Sequence, residues 1–89
     1  MIKFICVKET TVAKSDDLVS RSQARRVLSG LDLFKEVILD FRDIKYIGQA
    51  FADEIFRVFP NMNPNTAISE QNANSAVRNM INRARNTKL

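Results

Sequence analysis

Glu36-Val37-Ile38-Leu39-Asp40-Phe41, continued by Arg42-Asp43-Ile44-Lys45-Tyr46-Ile47-Gly48 and then Gln49-Ala50-Phe51-Ala52-Asp53-Glu54, is the stretch whose reading decides the fold. Val37, Ile38 and Leu39 run on without a polar residue between them. A strand with one wet face alternates apolar with polar, so this run predicts a strand covered on both faces, as in a parallel sheet. Arg42-Asp43 reads as a turn, and Gly48 can supply the unusual backbone angles of a tight connection. From Gln49 the period changes. Phe51, Ile55, Val58 and Phe59 fall at i, i+4, i+7 and i+8, which is one face of a helix. Pro60 and the segment Asn61-Met62-Asn63-Pro64-Asn65 are predicted to end that helix.

Outward from this centre the same alternation repeats. Residues 2–7, rich in Ile, Phe and Val, predict an inner strand. Residues 8–18 are polar and read as a loop, with a short strand at Thr11–Ala13. Ser20-Arg21-Ser22-Gln23 has capping-box spacing, in which the serine accepts from the amide three residues on and the glutamine reaches back. Ala24, Val27, Leu28 and Leu31 then mark one helical face, and Gly30 and Asp32 its end region. Thr66 to Ser69 is a weaker strand. Asn72 or Asn74 caps a third helix that buries Val77, Met80, Ile81 and Ala84, and the tail 86–89 is expected to fray. Strand and helix alternating in this way predict an α/β fold. The expected sheet is mostly parallel or mixed, with about four strands, three helices and right-handed crossovers.

Composition sets the outer limits. The chain has 89 residues, enough for a single domain over 1–89 and too few for two. Apolar residues make up 45% and charged residues 27%, as expected of a soluble globular protein. The one cysteine, Cys6, has no disulfide partner in the chain, and with apolar Ile5 and Val7 beside it reads as a small buried hydrophobe. There is no histidine, so neither a Ser-His-Asp arrangement nor a structural zinc site of the usual kind can be built. With only Gly30 and Gly48 present, phosphate-cradling glycine motifs are excluded. The carboxylate pairs Asp16-Asp17 and Asp53-Glu54 read as a polar loop and as negative charge in the first turns of a helix, which its dipole favours. No catalytic residue, metal or cofactor is therefore expected. No run approaches the roughly 20 apolar residues of a membrane span. Met1 to Val7 lacks the pattern of a signal peptide, so the cytoplasm is the expected compartment.

The net charge of +4 permits an acidic partner or a nucleic acid without demanding either. Arg78, Arg83, Arg85 and Lys88 give the last helix and tail a basic surface with no acid after Glu70. That surface is the basis of an alternative reading, nucleic-acid binding, although no aromatic residue interleaves with these charges to stack on bases. A small-ligand or nucleotide sensor at the start of the second helix has the geometry for an anion but no supporting motif.

A strand ending in Asp40, a tight turn, and a helix opening with small residues together resemble the core of STAS domains, the fold of bacterial anti-sigma-factor antagonists. Ser20-Arg21, Asp40-Phe41 and Phe51-Ala52-Asp53-Glu54 look closer still to a STAS-like bacterial family of unassigned function, over about residues 18–84. In the antagonists an Ile-Asp-Ser-Ser-Gly type motif leads into the helix. Matching Tyr46-Ile47 to the residues before it puts Gly48 at its Asp, and Gln49 and Ala50 at its two serines. The phosphorylatable serine is thus replaced by Ala50. The resemblance implies a non-enzymatic regulatory module that binds another signalling protein, such as an ATP-binding kinase-like regulator. The expected contact face is Tyr46, Gly48, Gln49, Ala50 and Asp53, joined by Ser20 and Arg21. The residue chemistry alone reads Ser20 as a helix cap and Gly48 as a turn.

Overall fold

The computed structural model describes residues 1–10 and 17–87; the strand expected at Thr11–Ala13 lies outside them. Strand β1 (Ile2–Cys6) leads to helix α1 (Arg21–Leu28), strand β2 (Glu36–Asp40), a long helix α2, strand β3 (Ala67–Gln71) and helix α3 (Ser75–Asn86). Helix α2 is one continuous element in three parts, α-helical at Gln49–Asp53, π-helical at Glu54–Val58 and α-helical again at Phe59–Met62. Short 3-10 turns follow β1 at Val7–Glu9 and α1 at Leu31–Leu33.

The sheet has three strands among the described residues, rather than about four, and all are parallel, with β2 in the middle. The register sets Val37 beside Lys3 and Ile68, and Leu39 beside Ile5 and Glu70. Among the described residues strand β1 is thus an edge strand and not the inner one its composition suggested. The reason is visible in exposure: Ile2 and Phe4 remain 63% and 51% accessible.

Those two residues also correct the expectation that β2 is covered on both faces. Val37, Leu39 and Phe41 are fully buried, and the helices pack over them into one core with Ala24, Val27, Phe51, Ile55, Val77 and Ile81. Ile38 points the other way, in register with Phe4 and Ser69, and is only half-buried outside that core. Among the described residues the domain therefore has two layers, helices on one side and an open sheet face on the other. An unbroken apolar run cannot distinguish the two arrangements, because an Ile on a half-open face looks the same in sequence as one in a core.

Helix α2 packs against both α1 and α3. It runs past Pro60 and ends at Met62, within the segment expected to stop it. A proline inside a helix lacks the amide donor and its ring crowds the carbonyl four residues back, here that of Phe56. The chain accommodates this by widening: Phe59 N–H reaches back to the Glu54 carbonyl, five residues earlier, and the helix then continues to Met62. The widened turn changes the buried face. Phe56 is buried where Val58, expected there, is only half-buried.

The other helical faces agree with their spacing. Ala24, Val27, Leu28 and Leu31 are buried, although α1 ends at Leu28, and Gly30 with φ of 78° turns the chain before Leu31. Val77, Ile81 and Ala84 are buried, with Met80 packed partly against them. Asn74 caps α3, accepting from Val77 N–H at 2.8 Å.

Candidate partner-binding site

In a parallel sheet each helix begins at the carboxyl edge of the strand before it. The connection between β2 and α2 is held at that edge by side chains. Asp40 is buried, and its carboxylate accepts from the Arg42 amide at 2.9 Å and from Asn72 Nδ2 at 3.1 Å. These bonds, the Arg42 amide first, hold the Asp40 carboxyl below the usual carboxylate range. Asp43 takes the left-handed conformation at φ of 63° and meets Lys8 Nζ at 2.6 Å. Asn74 Nδ2 donates to the carbonyls of Ile44 and Lys45 at 3.2 and 3.1 Å, tying the start of α3 to the same loop.

Gly48 caps α2 with ordinary extended angles, φ −79° and ψ 163°, so the expected unusual backbone is not why glycine stands here. Space is the reason. A Cβ on Gly48 would lie 2.8 Å from Val19 Cα, and the Gly48 amide donates to the Leu18 carbonyl at 2.7 Å. The missing side chain lets the chain entering α1 lie against the chain entering α2. Gly48 is itself buried.

Ser20 fills its capping role. It accepts from the Gln23 amide at 3.1 Å while Gln23 Oε1 accepts from the Ser20 amide at 2.9 Å, closing the capping box. Arg21 extends from the first turn of α1 to Asp53 at 2.8 Å and to Glu54 at 3.4 Å. Asp53 is also gripped by Arg57, one turn along α2, through Nε at 2.5 Å and a second nitrogen at 2.6 Å. Arg25 adds a contact to Glu54 at 3.4 Å. Asp53 and Glu54 are each only 7% accessible, so both serve the seam between α1 and α2. Both lie in the early turns of α2 as expected, but arginine partners, more than the helix dipole, account for their charge there. The Arg57 hydrogen bonds hold the Asp53 carboxyl low, Arg21 adds to this, and burial opposes it.

Arg21, Gln49, Ala50 and Asp53 line one groove of about 440 Å³, together with Arg57 and Thr87. Of the seven expected contact residues these four are brought together. Ser20 stands beside them as the cap, Gly48 lies beneath Val19, and Tyr46 is 55% exposed on the loop without lining the groove. A second, adjoining hollow of about 700 Å³ shares Gln49 and Thr87 and is walled by Asn79, Asn82, Arg83 and Asn86 of α3. Sequence reasoning missed Arg57 and the three asparagines of this wall; Arg83 was singled out only as part of the alternative basic surface. Arg57 was legible as the i+4 partner of Asp53. The wall follows i, i+3, i+4, i+7 spacing, but its nearness to Gln49 depends on how α3 docks.

The basic helix itself is partly neutralised from the sheet. Glu70 of β3 meets Arg85 at 2.7 Å and Arg78 at 3.7 Å, and the Arg85 guanidinium lies 5.0 Å from the Phe56 ring centre. Among the described residues no group of three His, Cys, Asp or Glu side chains could hold a metal ion, and no helix is long and apolar enough to cross a membrane.

A comparison with protein families matches residues 23–78 to a STAS-like domain of unknown function (DUF4325). The chain belongs to this STAS-like family. The matched region runs from within α1 to the first turn of α3 and includes Gln49, Ala50 and Asp53 of the groove. Arg21 precedes it, and the α3 wall from Asn79 onward lies beyond it. No curated protein and no solved structure matched the chain.

Proposed function

We propose that this STAS-like domain is a non-enzymatic, cytoplasmic regulatory module that binds another signalling protein, such as an ATP-binding kinase-like regulator, at the start of α2. The observation that carries this reading is the convergence of Arg21, Gln49, Ala50 and Asp53 on one polar groove at the carboxyl edge of the central strand. Ala50 has no hydroxyl to phosphorylate, so binding here is not gated by a serine phosphate at that position. Gln49 is exposed and Ala50 half-exposed, and neither belongs to the core.

The test is affinity capture from the source organism with wild type, Gln49→Glu and Ala50→Glu. Both substitutions are expected to weaken capture of the partner about tenfold while the thermal midpoint stays within about a degree, as for surface changes away from the core. Undiminished capture by both variants refutes the reading. The pairing of Arg78 and Arg85 with Glu70 favours a protein partner over nucleic acid, since it occupies two of the three helical arginines that a phosphate backbone would need.

A further inference from the structure

Helix α3 carries a feature that neither the core nor the ion pairs account for. Asn79, Asn82, Arg83 and Asn86 form a single exposed stripe at i, i+3, i+4 and i+7. Among the described residues their side chains, and that of Gln49 facing them across the hollow, make no hydrogen bond or ion pair. Asparagine is a poor helix former, because its amide competes for backbone groups in other conformations. On a solvated face, where packing decides nothing, Ala, Glu or Lys would stabilise the helix more. Three asparagines on one stripe therefore hold back helix stability and leave unspent amides lining a hollow of about 700 Å³.

Charge indicates what fits. Of the arginines lining the two adjoining hollows, Arg21 and Arg57 are already paired, with Asp53 and Glu54, while Arg83 is unpaired and the hollow it lines contains no acid. The amides can donate to carboxylates and exchange hydrogen bonds with a peptide backbone. A phosphate backbone would require several unpaired cations, and within the stripe only Arg83 is one.

We propose that the Asn79–Asn82–Arg83–Asn86 stripe, with Gln49, is the second wall of the docking groove and receives an acidic segment of the partner protein. The proposal rests on the reading of the α2 start as the partner site, and extends that site to a helix face beyond the family-matched residues.

An isotope-labelled full chain titrated with a short Glu-rich peptide, a Lys-rich peptide of equal length and a DNA duplex tests it. The side-chain amide signals of Gln49, Asn79, Asn82 and Asn86 are expected to shift together with the Glu-rich peptide and not with the Lys-rich one. Arg83→Glu should weaken that binding about tenfold and Asn82→Ala severalfold, without lowering the thermal midpoint. The proposal fails if the Glu-rich peptide leaves these signals unmoved, or if only the duplex moves them, which would make the stripe a nucleic-acid surface. With the captured partner, loss of binding in Ala50→Glu but not in Arg83→Glu or Asn82→Ala overturns this extension and leaves the α2 reading standing. Retention in all three overturns both.

Discussion

The two flanks of helix α2 are built from similar polar residues and end in opposite states. On the α1 side, Arg21, Arg25 and Arg57 close on Asp53 and Glu54, and the backbones of Gly48 and Val19 lie against each other. On the α3 side, Gln49, Asn79, Asn82, Arg83 and Asn86 surround a hollow and spend none of their polar capacity on one another. The first flank is a structural seam with an exposed rim, the second an unused surface. A residue's type therefore does not reveal whether it is available. Arg21 and Arg83 are both exposed arginines lining adjoining hollows, yet only Arg21 is paired to buried acids.

Substitutions on each flank should behave accordingly. The largest effect is expected at the closest approach. Gly48→Val would force atoms into space already held by the Val19 backbone, and should cost about 3 kcal/mol, at the upper end for overpacking a tight site. Urea unfolding would measure it; a loss near zero would mean that the α1 entry segment moves away freely.

Asp53→Ala comes next. It removes the acceptor of Arg57 and Arg21 from a largely buried seam, and about 2 kcal/mol is expected for hydrogen bonds to a charged group. The same pair has a pH signature. The Asp53 carboxyl is held below its unfolded value, so its contribution is present above about pH 4 and is lost as pH falls through the lower, folded value. Wild type should therefore lose more stability than Asp53→Ala between neutral pH and strongly acidic pH. Parallel acid titrations of the two proteins would break the seam model if their unfolding midpoints fell together.

The smallest effect has the opposite sign and lies on the other flank. Asn82→Ala should raise stability by about 0.5 kcal/mol through helix propensity alone. A destabilised Asn82→Ala, measured by thermal melting, would mean that the stripe supports the fold and erase the contrast between the flanks.

Periodicity made much of this architecture legible. Strand and helix order, the capping box at Ser20, a cap at Asn72 or Asn74 and the buried faces of α1 and α3 can be read from local spacing, since each depends on contacts within a few residues; the structure selects Asn74. The family resemblance was legible in the run from Asp40 to Glu54, and residues 23–78 match that family. Four of the seven expected contact residues also meet in one groove. Other features depended on partners far away in the chain. Whether Ile38 and Phe4 are buried is decided by what lies over the sheet, and here the helices cover only the opposite face. Whether Pro60 ends a helix depends on packing, which here keeps Phe56 and Phe59 buried through a widened turn. Whether Asp53 and Glu54 are available is decided by Arg21 and Arg25 of another helix. Hydrophobic period and capping are local, so the elements could be placed from the order of residues. Which polar groups are spent and which remain depends on distances between side chains on different elements, and those exist only once the helices have docked.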